Sequence, residues 1–429
     1  MKSKIPNTII AAVILITINL WIASKSDFGS LLQQPLRSLS QILALVGIVL
    51  MSLTLLFTTR IKLIEKVFGG LDTVYFIHQI LGAISFVFLM NHPLLLVIQS
   101  LPNISSAILY LIPGSDLTYN LGIIGLYAMI LSFIFMVFIK LPYHIWKYLH
   151  KLLGITFLLG SLHAFLVPSD ISSYFPLRLW IASFIVIGFI SSVYTIFFYR
   201  SFGPKFLYEI TKIERVLDVM NIYFRPVTKK ILAFTSGQFV YLEFSNPVLG
   251  SETHPYSISS APQESELRIS AKILGDYTLR LPNLKEGNRA FIYGPYGTFG
   301  QIPKSEKAIW IAGGIGVTPF LSQLHSEIYQ QRYKSISFYY AYRTSEEGIY
   351  DGEIREIANR IPYCRYVKWC SNERKRLTAD AINQETPIDS VDAIFCCGPP
   401  PMMEGLKKQF LQLGLPEDKF HFENFSFLP

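Results

Sequence analysis

The chain has 429 residues, of which 51% are hydrophobic, with a formal net charge of +8 and a mean hydropathy of +0.37. These are averages over unlike halves. Residues 1–200 hold twelve Lys/Arg against five Asp/Glu and every long apolar run, whereas residues 201–429 hold twenty-six against twenty-five. The basic excess therefore lies beside apolar segments, which excludes reading the pI of 9.1 as a nucleic-acid signature and makes the first half a membrane domain.

Six segments are long enough to span a bilayer: residues 7–23, 39–58, 74–99, 121–139, 146–167 and 177–199. The first also reads as a signal peptide with Lys2 and Lys4 as its basic start, but the apolar run is long for that and a retained helix is expected. With the N-terminus inside, ten Lys/Arg fall on the inner side and only Lys25, Arg37 and Arg178 on the outer. The positive-inside rule then puts the second half in the cytoplasm.

Two of these segments carry paired histidines. His78 and His92 lie 14 residues apart in the third, and His150 and His163 lie 13 apart in the fifth. Each pair is separated by about 20 Å along a helix axis. The two segments run in the same direction, so His78 and His150 share an inner level and His92 and His163 an outer one. Each level offers the two imidazoles of a bis-His haem site. Fourteen residues keep His78 and His92 on one face, but thirteen turn His163 off the face of His150. That calls for a distorted fifth helix, with Gly154 and Gly160 as candidates, or a rotated outer haem. His144, beside Pro142 at the membrane edge, is a rival for His150. Gly82 and Ala83 leave room for a flat macrocycle, Phe86 and Phe157 lie between the levels, and Arg37 suits a haem propionate; each serves helix packing or anchoring equally well.

After Gly203-Pro204 the pattern changes to short alternating strands. His254-Pro255-Tyr256-Ser257-Ile258-Ser259-Ser260 sets an aromatic and small hydroxyls against a flavin ring, with Ser257 near the flavin N5 and Tyr256 and Ile258 flanking it. Residues 272–278, with Lys272, Gly275, Asp276 and Thr278, are expected to open a helix whose N-terminus suits a pyrophosphate. A strand then leads into Gly313-Gly314-Ile315-Gly316-Val317-Thr318-Pro319, whose glycines let backbone approach a dinucleotide phosphate. A second strand ends at Arg343, a candidate for a ribose 2′-phosphate, and a third ends at Cys397-Gly398-Pro399. The four cysteines, Cys364, Cys370, Cys396 and Cys397, have no zinc-ligand spacing and fit a reducing compartment.

HPYSISS, AGGIGVTPF and CGPPPMM, in this order, resemble the ferredoxin–NADP reductase superfamily. Joined to six spans with paired histidines, they resemble the NADPH oxidase and ferric reductase family, especially its short bacterial members. The resemblance implies three domains: a six-helix transmembrane bundle (1–202), an antiparallel β-barrel flavin domain (203–302) and an α/β parallel-sheet nucleotide domain (303–429). It implies FAD on the 254–259 strand and the 272–278 segment. NADPH or NADH is implied on 313–319, Arg343 and 397–399, and two b-type haems on the four histidines. Ser257, Cys397 and Phe425 are the candidate catalytic residues. Phe425, in the ending Glu423-Asn424-Phe425, stands for the aromatic that stacks on the flavin, with Phe427 as its rival. The expected activity is NAD(P)H oxidation coupled across the plasma membrane to an outer acceptor, O2 giving superoxide. A ferric chelate, or an outer protein taking electrons by relay, is the alternative. Membrane lipid is the expected surrounding; nothing points to nucleic acid or an obligate protein partner.

Overall fold

The computed structural model describes residues 5–25, 29–299 and 306–423. They fall into two compact units that divide between Ser201 and Phe202.

In the first unit the six expected spans are helices: α1 Ile5–Ala23, α2 Pro35–Phe57, α3 Leu71–Ser100, α4 Leu117–Phe138, α5 Tyr143–Leu166 and α6 Phe175–Val193. All six are long and apolar enough to cross a membrane. Several ends differ from expectation because capping, not hydropathy, sets them. Pro35 and Pro176 sit in the first turn of α2 and α6, where a missing N–H costs nothing. Gly69 ends the preceding short helix in the left-handed region at φ +79°, and α3 follows. Two polar contacts tie helices of the bundle together: Ser85 of α3 donates to the Gly47 carbonyl of α2 at 2.8 Å, and Trp180 of α6 donates to Thr17 of α1 at 2.9 Å. At its outer end α1 is held by Trp21 and Lys25, which both reach Asp170, at 3.2 and 2.6 Å.

The second unit begins with an antiparallel sheet of β1 Lys205–Val216, β2 Val219–Pro226, β3 Phe239–Phe244, β4 His254–Ser257, β5 Leu267–Lys272 and β6 Arg289–Tyr296, in the order β4-β3-β6-β1-β2-β5. Its inward face, including Ile222, Phe224, Leu242 and Ile292, has no exposed surface. The sheet curls until its two edges meet, at the Ile258–Ile269 bridge and the Ser259 N–H to Arg268 carbonyl bond of 2.8 Å. A parallel sheet follows, made of β7 Lys307–Gly313, β8 Ser335–Tyr342, β9 Cys364–Cys370, β10 Ala393–Cys397 and β11 Phe420–Phe422, in the order β11-β10-β7-β8-β9. Its strands are apolar on both faces: Trp310, Phe338 and Phe395 pack to one side, and Ile309, Ile311 and Ile394 to the other. Helices α7 Thr318–Gln330, α8 Asp351–Asn359, α9 Ala379–Glu385 and α10 Pro400–Gln412 complete it. The ends of β7, β8 and β10 place Gly313, Arg343 and Cys397 along one rim, where open parallel sheets bind ligands.

Candidate functional site

In the membrane unit every paired histidine has its Nδ1 engaged. His78 Nδ1 donates to the Thr54 carbonyl at 2.9 Å, and His163 Nδ1 donates to the Thr118 carbonyl at 2.7 Å. His92 Nδ1 lies 2.8 Å from the Ser40 hydroxyl and 3.1 Å from the Ser40 carbonyl; His150 Nδ1 lies 3.2 Å from the Met136 sulfur. No described residue bonds any of the four Nε2 atoms, the arrangement by which outer partners orient a metal-binding imidazole.

The two levels are built differently. The inner rings of His78 and His150 stand 5.8 Å apart between centres, tilted by 59°. Two imidazoles facing each other at that separation could together hold one metal-centred group. Trp146, one turn before His150, stacks flat on its ring at 5.0 Å and 12°. The outer histidines instead face a common cavity of about 250 Å³, whose wall also includes Arg37, Gly160, Tyr110 and Phe157. Its size exceeds the ~150 Å³ that accommodates a benzene ring. A Cβ on Gly122 would fall 2.8 Å from the His163 ring, so that histidine's position requires glycine there.

The distortion expected of the fifth span is absent: α5 runs unbroken from Tyr143 to Leu166. The irregular point is Pro93, inside α3 directly after His92, where a backbone donor is missing from the helix ladder. Gly160 opens onto the outer cavity, with nothing within 4 Å of a Cβ, while Gly154 packs against Ser192 of α6. Phe86 stacks on Phe133 of α4 at 4.2 Å rather than standing alone between levels. Side-chain details of His144 lie outside the described residues.

In the second unit, Ser257 pairs in register with Phe239, and both are buried. Tyr256 points into the barrel. Its hydroxyl and that of Tyr277 are buried and find no hydrogen-bond partner among the described residues. Burial, then the Tyr277 phenol, pushes Tyr256 ionisation upward, so it remains a donor. Two orphaned hydroxyls side by side suit the polar chain of a flavin nucleotide. The Ile258 side chain is fully buried in the barrel core, so it packs and does not flank a ring. His254 stacks on Tyr277 at 3.7 Å and lies 3.2 Å from Glu252, which also takes Arg280 at 3.0 Å.

The 272–278 segment is not a helix start. Lys272 ends β5 and pairs with Asp218 at 3.2 Å. A six-residue 3₁₀ turn begins only at Thr278. Thr278 Oγ1 accepts from the Leu274 and Gly275 N–H groups at 2.8 Å each, and Asp276 accepts from the Tyr277 N–H at 2.8 Å. Those donors are consumed internally, which leaves Arg280 as the nearby cation.

The glycine loop has a different logic from the expected one. A Cβ on Gly316 would meet the Cys397 carbonyl at 2.5 Å, and one on Gly313 would meet the Met402 sulfur at 2.5 Å and Pro399 at 3.0 Å. These glycines, with Gly398 against Gly313, press the two loops together backbone to backbone. Gly314, at φ +53° with no described residue within 4 Å of where a Cβ would lie, is the one turned away from that seam. Val317, Thr318 and Pro319 are buried as α7 begins. Arg343 is exposed and pairs with Glu347 at 3.2 Å. Cys397 is buried, its thiol pushed well up by burial and then by Glu423. Glu423 also lies beside Gly297, whose Cβ would come within 2.9 Å of its carboxylate, and Gly297 touches the Phe239 ring. Ser257, Phe239, Gly297, Glu423 and Cys397 thus form one run of neighbours across the barrel and the sheet. Phe425 and Phe427 lie outside the described residues.

Residues 43–161 match the family of ferric reductase like transmembrane components, residues 213–299 an FAD-binding domain family, and residues 310–408 an oxidoreductase NAD-binding domain family. The chain is a ferric reductase-like membrane domain fused to an NAD(P)H-dependent flavin oxidoreductase. Among relatives, the glycine betaine monooxygenase reductase subunit of Chromohalobacter salexigens is 29% identical over 235 residues, covering 51% of this chain and 63% of that protein. The flavohemoprotein of Candida albicans is 26% identical, covering 49% of this chain and 57% of that protein. These matches span less than two thirds of either relative. The solved flavohemoglobin of Malassezia yamatoensis, with bound FAD and haem, is 17% identical over 92% of this chain and 98% of its own, with a TM-score of 0.53, a likeness of fold.

Within the ferric reductase-like domain, sequence reasoning found the four histidines but missed what orients them: Thr54, Ser40, Thr118 and Met136. A carbonyl or thioether partner leaves no pattern in a sequence. Arg280 and Glu423 of the oxidoreductase half were also missed, although Glu423 stood in the family-like ending.

Proposed function

We propose that the protein carries electrons from cytosolic NAD(P)H through FAD and two b-type haems to an acceptor on the outer side of the plasma membrane, with O2 giving superoxide as the leading acceptor. The observation that carries this reading is the pair of two-histidine levels in which every Nδ1 is occupied and, among the described residues, no group takes an Nε2. His78 and His150 would hold the inner haem, and His92 and His163 the outer. When bound, the flavin converts a two-electron hydride into single electrons and each haem iron carries one at a time.

The chain's own part is binding and orientation. Tyr256, Tyr277 and Arg280 hold the flavin's polar chain, Ser257 stands at its ring, and the Gly314 turn receives the dinucleotide. His92 and His163 would both be taken up in holding the outer haem, so an acceptor would be reduced at the edge of that site. The wall of the outer cavity carries Arg37, a charge that favours an anionic ferric chelate and keeps ferric reduction as the second reading.

The test is NAD(P)H-driven haem reduction followed optically without oxygen, in wild type and in His78→Ala and His92→Ala. Each substitution is expected to remove about half of the haem, and retention of full haem content and spectra in both would falsify the reading. Superoxide dismutase-sensitive cytochrome c reduction is expected from the intact protein. Ferric reduction that proceeds at the same rate without oxygen would instead select the second acceptor.

A further inference from the structure

The helix that begins at the glycine loop is fastened to the flavin barrel along its own length. Ser322 of α7 donates to the Ser260 carbonyl at 2.6 Å, directly after the flavin segment. Nearly one turn further, His325 lies between two carboxylates. Its Nδ1 is 2.9 Å from Glu264, on the barrel's β4–β5 loop, and its Nε2 is 2.8 Å from Glu353 of α8. Glu353 also takes Arg268 of β5 at 2.7 Å. The Arg268 guanidinium donates in turn to the Ser259 carbonyl at 3.1 Å and hydroxyl at 3.2 Å.

Two cations and two carboxylates, drawn from the barrel and from helices α7 and α8, therefore close on Ser259 and Ser260, just past the end of β4. The other groups around them are Tyr223 and, through it, Glu214 at 2.9 Å; Tyr350, bonded to Asn221 at 2.7 Å; and Gln263 beside Ser326. Arg268 has a side chain only 9% exposed, so loss of Glu353 would leave a nearly buried charge without its partner.

We propose that the clasp Glu264–His325–Glu353–Arg268 is a positioning device for hydride transfer, fixing the separation between the flavin strand and the glycine loop. All four are positioning residues. They act through Ser259, Ser260 and the start of α7. A misplacement of about 1 Å at a hydride-transfer distance costs on the order of a hundredfold in rate. The inference rests on the NAD(P)H–flavin half alone and is independent of the outer acceptor and of haem.

The clasp is pH-dependent at both ends. Burial disfavours the charged form of His325, but its bonds to Glu264 and Glu353 outweigh that and hold its pKa up at about 9. Burial likewise opposes Glu353, yet His325 and Arg268 hold it down at about 2. The raised histidine contributes fully below its ordinary 6.5 and is lost as pH rises through about 9; the depressed carboxylate contributes above its ordinary 4.5 and is lost as pH falls toward about 2.

The test uses full-length protein, purified and loaded with FAD, with the rate of flavin reduction by NADPH and by NADH measured by stopped flow. His325→Gln is expected to slow reduction tenfold or more at pH 7 with flavin occupancy unchanged, and to remove the fall in rate that wild type shows near pH 9. Glu264→Gln, which leaves the Glu353–Arg268 pair intact, is expected to slow it about threefold and to move that fall to lower pH. Flavin-loaded variants with wild-type rates and pH profiles would overturn the proposal. So would rate losses that only track lost flavin. If wild type itself failed to reduce flavin, the nicotinamide–flavin reading would fall instead.

Discussion

Single atoms decide several positions. Gly122→Ala puts a methyl group where the His163 ring lies, 2.8 Å away, and the ring rather than helix backbone must yield. If the four histidines hold two haems as proposed, the expected result is a fall from two haems per chain toward one, with the inner site's spectrum kept, measured by haem quantitation of purified protein. Gly316→Ala meets backbone, the Cys397 carbonyl at 2.5 Å, which cannot swing aside. Overpacking of this kind costs about 1–3 kcal/mol, so a lower melting temperature and weaker NAD(P)H binding are expected together. Neither glycine's duty was legible in sequence. The glycine loop was visible as a loop, but its neighbour is Cys397-Gly398, some eighty positions away along the chain, and only the fold brings them together.

At the scale of elements, lipid makes sequence legible. Backbone inside a bilayer must pair with itself, so spans are long, apolar and unbroken, and all six were readable together with their histidines. The parallel strands were readable for a similar reason, being buried on both faces. The 272–278 segment misled because side chains override its backbone: Thr278 and Asp276 capture the N–H groups that a helix would have left open. Pro93 misled by omission, since attention to spacing placed the irregularity in the other histidine helix. Pro93→Ala restores a backbone donor to α3. It is expected to rotate His92 relative to the outer cavity and, with a haem held there as proposed, to shift that haem's spectrum or midpoint potential while leaving the inner site unchanged. An identical redox titration in variant and wild type would show that the proline has no such effect.

For the whole molecule, charge asymmetry and motif order together give direction. NAD(P)H supplied to sealed, right-side-out cells is expected to go unoxidised, whereas inverted vesicles oxidise it; equal rates in both would reverse the topology. The clasp was the least legible feature of all. Glu264, Arg268, His325 and Glu353 look like ordinary surface charges in sequence, and nothing but their meeting at the seam between barrel and sheet gives them a shared role.

The histidine hydrogen bonds carry a consequence for how the membrane domain is made. His78 and His92, on α3, both take their orientation from α2, through Thr54 and Ser40; His150 and His163, on α5, both take theirs from α4, through Met136 and Thr118. Each helical hairpin therefore sets its own pair of imidazoles without help from the other. If these imidazoles hold haem as proposed, each hairpin would bring a finished half-cage to the other, and haem capture would be the stitch that joins them. Cells starved of haem should accumulate both hairpins correctly inserted but unregistered against each other, a ready substrate for membrane quality control.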